Sequence, residues 1–311
     1  MKRILCIDGG GMRGYLPAAM LVQIERRTGR RCCDLFDLIA GTSIGGIMAA
    51  LLGSGMPASE AIKFFTEDGP KIFRRRFGRY LGLLGPRYSG RVIEEVLQRR
   101  LAGLQPRTRV MIPAFDLVTQ SPYFFRFAPQ GHVPGPRSNI ESSTGPMLWQ
   151  AARATSSAQI YFPAFAARLH DGEHVFWDGG NVANNPAACA LADAVRHWNG
   201  RTVMLSIGCG SLRAATGRKA IQSARDMVNA GALRNGIATV SALFEADSDE
   251  VDYQMAQMLG GNYCRIQPDL AQPLPLDDAS PEGLQNLKDA AANAVRAGRA
   301  ELEKFLARAG L

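Results

Sequence analysis

Phe36-Asp37-Leu38-Ile39-Ala40-Gly41-Thr42-Ser43-Ile44-Gly45-Gly46 is a mostly apolar run, a tight glycine turn carrying one hydroxyl, and the start of a second apolar run. The first run suits a buried strand over Phe36–Ala40, and Ile44–Leu52, ending at Gly53, suits a helix. Ser43 lies between them with Gly41 and Gly45 two residues to either side, the G-x-S-x-G pattern of a nucleophile elbow. Glycine tolerates the backbone crowding that pushes such a hydroxyl outward. The helix that follows brings partial positive charge to a developing oxyanion. Taken alone, the pattern reads sooner as a serine that caps a helix in a glycine turn.

Upstream, Arg3–Ile7 reads as another buried strand, followed by Asp8-Gly9-Gly10-Gly11-Met12-Arg13-Gly14 and a helical pattern over Leu16–Thr28 that Gly29 can stop. Strand, loop, helix, strand, loop, helix predicts parallel strands with crossover helices. If the two strands are neighbours, both loops share one sheet edge, and the backbone N–H groups of Gly9, Gly10 and Gly11, with Arg13 beside them, can bind an oxyanion. The same glycines match the dinucleotide fingerprint G-x-G-x-x-G, whose glycine loop would cradle phosphates and leave Ser43 inert. That fingerprint expects an acid at the end of the second strand, whereas the strand here ends in Ala40-Gly41-Thr42-Ser43. Asp37 precedes the strand end and reads as structural.

A third turn, Asp178-Gly179-Gly180, follows the apolar run Val175–Trp177 and offers a carboxylate. A type I turn commonly carries such an aspartate. A Ser-His-Asp arrangement with the histidine after the acid leaves only His197, which falls at a helix end, so a two-residue Ser43–Asp178 dyad fits the chain better. Further strands are expected at Val110–Leu117, Tyr123–Phe127 and Val203–Ile207. Helices are expected at Ala58–Phe65, Gly90–Leu101, Met147–Ala154, Pro186–Trp198 and Glu282–Ala309. Ala214–Leu259 reads as mostly helical, and Pro129–Pro146 as a surface loop.

The chain resembles the patatin-like phospholipases in four stretches: the glycine loop Gly9–Gly14 with Arg13, the elbow around Ser43, the D-G-G beginning at Asp178, and Ala151–Ala158 through Tyr161-Phe162-Pro163. The likeness spans about the first 210 residues. It implies a three-layer α/β/α fold with a mostly parallel sheet, additional C-terminal helices, no metal and no organic cofactor. It also implies hydrolysis of phospholipid acyl esters, with Ser43 as nucleophile, Asp178 as base and Gly9, Gly10, Gly11 and Arg13 at the oxyanion. We expect one domain over 1–311, with a core to 212 and a helical extension beyond it. Bacterial relatives of this type include phospholipases switched on by cyclic oligonucleotides in antiphage defence, so such a nucleotide is a candidate activator.

Composition narrows the setting. The 311 residues are 46% apolar with a net charge of +8. No run of about 18 apolar residues is present, and the apolar stretch after Met1-Lys2-Arg3 is too short for a signal peptide, so a cytoplasmic protein is expected. Six cysteines without a C-x-x-C pair and four histidines without zinc spacing read as free thiols and ordinary imidazoles. Arg74, Arg75, Arg76, Arg79, Arg87 and Arg91 lie in an acid-free stretch interleaved with Phe73, Phe77, Tyr80 and Tyr88. That mixture suits anionic headgroups at the inner membrane face or a nucleotide, and equally a solvated loop. No DNA or RNA partner is expected, and homo-oligomerisation is compatible with the chain.

Overall fold

The computed structural model describes residues 1–74, 85–129, 131–132, 147–212 and 232–311. Nine strands form one mixed sheet. Its centre is parallel, in the order β3 (Arg109–Asp116), β2 (Leu38–Gly41), β1 (Lys2–Ile7), β8 (Thr202–Ile207), β9 (Tyr263–Ile266). Antiparallel strands extend it beyond β3: β4 (Ser121–Ala128) with β5 (Gly131–His132), and β7 (Gly172–Trp177) with β6 (Phe165–Leu169). The expected parallel α/β core is therefore present, and hairpin-type pairings carry the sheet outward on one side.

Alternation along β1 explains the layers. Leu5 and Ile7 point to one face, where they join a core with α1 (Tyr15–Thr28) and α2 (Ile44–Gly53). That same side carries α3 (Gly90–Leu101) and α4 (Leu148–Thr155). Ile4 and Cys6 point to the other face, toward α5 (Ala187–His197) and α6 (Ala232–Leu259), from which Leu191, Val251 and Met255 pack in. Strands buried on both faces read as unbroken apolar runs, which is why the central strands are plain in the sequence. Gly29 ends α1 in the left-handed region at φ 66°, its N–H donating to the Glu25 carbonyl at 2.9 Å.

The expected single helix over Glu282–Ala309 is two: α7 (Pro281–Ala297), capped by the Ser280 hydroxyl, and α8 (Arg299–Ala309). The break at Gly298 lets α7 lie on α1 while α8 turns onto β8 and the edge strand β9. The helix expected over Ala58–Phe65 is α-helical only to Lys63 and continues as a π-helical turn through Asp68. Of Ala214–Leu259, the part from Ala232 is helical, and residues 213–231 lie outside the described ones, as does most of Pro129–Pro146.

Phe176 on β7 is fully buried against Phe125, Tyr123 and His174, with ring centroids 5.3–5.5 Å apart. Phe176→Ala is expected to lower unfolding free energy by about 3–5 kcal/mol. The drop is read as a shift in urea midpoint at unchanged slope.

Candidate active site

Parallel pairing of β1 with β2 sets Ile7 opposite Gly41, so the loops after both strands leave the same edge. Ser43 caps α2 with φ 55° and ψ −122°, a conformation an L-residue rarely adopts. The strain is held by close packing. A Cβ on Gly45 would lie 2.2 Å from the Ile7 carbonyl oxygen, so only glycine lets the elbow press against the end of β1.

β7 reaches this edge from the opposite direction. It overlaps only the last residues of β3, pairing Trp177 with Phe115 and Phe176 with Asp116, and it stops there. Asp178 thus emerges beside the elbow, and the Ser43 hydroxyl donates to Asp178 Oδ2 at 2.8 Å. The other oxygen, Oδ1, accepts the Gly180 N–H at 2.7 Å. One segment stitches the partners together. Thr155 Oγ1 accepts the Ser43 N–H (2.9 Å), the Thr155 carbonyl accepts the Gly179 N–H (3.0 Å) and the Ser157 carbonyl accepts the Asp178 N–H (3.1 Å).

Asp178 is 1% exposed with no cation beside it. Burial pushes its carboxyl up to about 7, and the hydrogen bonds from Gly180 and Ser43 only partly oppose this. An acid poised there can take a proton and give it back near neutrality.

The glycine loop lies against the nucleophile, since a Cβ on Gly9 would sit 3.3 Å from Ser43 Cβ. Its four predicted anion contacts are not equivalent. The Gly9 N–H already donates to the Asn184 carbonyl at 3.1 Å. The Gly10 and Gly11 N–H groups have no acceptor among the described residues, nor does that of Ile44 at the start of α2. Gly11 holds φ 54°, and a Cβ there would meet the Leu276 carbonyl oxygen at 2.3 Å. Among the described residues the Arg13 guanidinium has no ion-pair partner, and its Nε is buried without a hydrogen-bond partner there.

A cavity of about 330 Å³ opens onto Ser43 and Asp178. Ile44, Ile47, Phe64, Ile72, Ile93 and Phe162 give it an apolar arm, and Arg13, Arg87 and Tyr161 place cations and a phenol in its wall. Among the described residues that line it there is no histidine. His174 is buried elsewhere between Asp116 and Asp171, and His197 stands 3.9 Å from Asp193 at the end of α5. Among the described residues no cluster is suited to a metal ion.

Of the six arginines of the basic stretch, Arg74, Arg87 and Arg91 fall among the described residues. Arg75, Arg76 and Arg79 lie outside the described residues. Arg74 is exposed, and Arg91 pairs at the surface with Glu95 (2.7 Å). Arg87 turns inward, 3.3 Å from Asp277 and over the Tyr161 ring. Sequence reasoning missed the supporting roles of Thr155, Asn184 and Leu276, because each contributes through backbone or hydroxyl contacts that carry no motif.

The family model for patatin-like phospholipase matches residues 5–191. Patatin-like protein 2 of Oryza sativa subsp. indica is 28% identical, covering all of this chain and 86% of its own length. The probable inactive patatin-like protein 9 of Arabidopsis thaliana is 34% identical over 84% of this chain and 72% of its own. The cGAMP-activated phospholipase of Pseudomonas aeruginosa (strain BWHPSA011 / Pa011) is 32% identical, with 92% and 85% covered. With more than half of its length matched by that model, the chain belongs to the patatin-like phospholipase family and is a lipid acyl ester hydrolase.

Proposed function

We propose that this chain is a serine hydrolase of phospholipase A or lysophospholipase type. It would release fatty acids from membrane glycerophospholipids through the Ser43–Asp178 dyad. The observation that carries this reading is the 2.8 Å hydrogen bond from a strained serine to a buried carboxylate titrating near 7. Asp178 Oδ2 takes the Ser43 proton as Oγ attacks the ester carbonyl carbon. The Gly10 and Gly11 N–H groups receive the oxyanion, supported by Ile44 N–H and the Arg13 charge. Collapse expels the glycerol oxygen, which takes the proton from Asp178. The same carboxylate then activates the water that frees the fatty acid.

The apolar arm suits an acyl chain, and Arg13 and Arg87 suit a phosphate in the same cavity. A phosphate-cradling regulatory module with an inert Ser43 has no use for this apolar arm or for a basic Asp178. No helix among the described residues is long and apolar enough to cross a membrane. Access to lipid is therefore assigned to peripheral docking, aided by the basic stretch around Arg74. A cyclic oligonucleotide is the proposed activator, on the likeness to the Pseudomonas enzyme whose name carries that property.

Fatty-acid release from phosphatidylethanolamine/phosphatidylglycerol vesicles tests the dyad. Ser43→Ala and Asp178→Asn are each expected to lose about a thousandfold or more. Dependence on one member of a cyclic di- and trinucleotide panel supports gating, and full activity without any removes it. Arg87→Gln should lower the preference for phospholipid over a neutral ester roughly tenfold. An unchanged ratio rejects a phosphate contact at Arg87.

The pH dependence has a defined sign. The base works ionised, so kcat/KM should climb with pH and level off above about 7. The folded carboxyl titrates above an unfolded one, so the native state binds the extra proton between pH 4 and 7, and stability falls as pH rises through that window. Asp178→Asn, which does not titrate, should gain on wild type by a few kcal/mol (order of magnitude) between those pH values, as calorimetry at each pH would read.

A further inference from the structure

Three consecutive glycines have no side chains with which to hold a shape, yet an oxyanion site works only if its donors are fixed before reaction. The braces on this loop come from elsewhere in the chain. Asp8, immediately before Gly9, is 2% exposed, and both its oxygens are taken by one guanidinium, Arg265 Nη1 to Oδ1 at 2.9 Å and Nη2 to Oδ2 at 2.6 Å. Arg265 lies on β9, 257 residues away, and its Nη1 also donates to Ser206 Oγ at 2.8 Å. The Asp8 carbonyl accepts the Cys209 thiol at 3.4 Å. Past the glycines, the Met12 N–H donates to the Leu276 carbonyl at 2.8 Å. Cys209, Arg265 and Leu276 all lie beyond residue 191, the last one that the family model matches.

Charge makes Arg265 different from the other braces. Asp8 lines the same cavity as Ser43, and a bare carboxylate there would oppose negative charge developing on the substrate carbonyl. Asp178 must stay free of a cation to remain basic, whereas Asp8 must be cancelled. We propose that Arg265 is a positioning residue for the oxyanion loop. It anchors Asp8 through a two-pronged ion pair and neutralises that carboxylate beside the reacting carbonyl. Arg265 does not touch substrate in this assignment. The proposal rests on the Ser43–Asp178 reading, whose own failure would show separately as activity that survives Ser43→Ala.

The test uses the full chain and a soluble p-nitrophenyl ester. Rates are expressed per active site titrated with a fluorophosphonate, and thermal unfolding is measured alongside. Arg265→Gln should lose roughly a hundredfold in kcat, the scale of a lost oxyanion donor, with KM within about twofold. Arg265→Lys keeps the charge without the two-pronged geometry and should fall between that variant and wild type. It also serves if Arg265→Gln fails to fold. The double variant Asp8→Asn/Arg265→Gln removes both charges and should recover about tenfold over Arg265→Gln. A merely structural ion pair gives a different pattern, with lower melting temperatures and fewer titratable sites but wild-type kcat per site in both Arg265 variants. That result overturns the proposal. A hundredfold loss with no recovery in the double variant overturns charge cancellation and leaves anchoring alone.

Discussion

Everything at the sheet edge depends on bare backbone meeting bare backbone. The elbow can press against the end of β1 only because Gly45 leaves the Ile7 carbonyl uncovered, and that contact holds Ser43 in its strained turn. Water is excluded by the same packing. Asp178 is therefore buried as a direct consequence of how the loops fit, and burial makes it basic. Geometry and electrostatics are thus one effect here: loosening the edge would relax Ser43, wet Asp178 and lower its basicity together. The protein keeps an ionisable group where it weakens folding, as functional sites commonly do.

Two aspartates at this edge receive opposite treatment. Asp8 and Asp178 each follow a strand, and both are buried. Burial raises both carboxyls, but Arg265 opposes it at Asp8, while Asp178 has only the Gly180 N–H and the Ser43 hydroxyl. Two buried carboxylates lining one cavity are thereby divided into one held in an ion pair and one left without a cation, its basicity raised by burial. Environment, more than residue type, makes the assignment.

The strands that carry the site were legible because they are buried on both faces and bounded by glycine turns. β1, β2 and β8 fall within two residues of their expected limits. β5, β6 and β9 were not found, β5 being a two-residue strand inside the stretch expected as a surface loop. β9 has four residues with only Ile266 buried, and β6 alternates buried and exposed positions at an outer strand, so neither leaves an apolar run. The Gly298 break was missed because α7 and α8 share one helical periodicity, and only their separate partners, α1 and β9, require the turn. Ser43 and Asp178 were readable from local motifs. Arg265 was not, since nothing around Tyr263–Ile266 reveals that a carboxylate near the N-terminus lies within reach. The partner of Arg87 was unreadable for the same reason: no acid lies near it in sequence, yet folding brings Asp277 to it.

Catalytic motifs and catalytic competence are therefore separable in this architecture. The region matched by the family model, through residue 191, carries Ser43, Asp178 and the glycine loop. The region from 244 to 276 supplies much of what holds them. Asp247 on α6 accepts the N–H groups of Asn184 and Asn185 at 2.7 and 3.2 Å, Asn184 in turn holds Gly9, and Arg265 and Leu276 fix the two ends of the loop. A glycine run has so many backbone states that losing one brace is enough to misplace its donors by an ångström, and errors of that size cost catalysis heavily. Substitutions in this tail can therefore tune or silence the site while every motif stays intact. On the proposed Ser43–Asp178 reading, the three motifs bring the reacting groups and the contacts from residues 244 to 276 hold them in place.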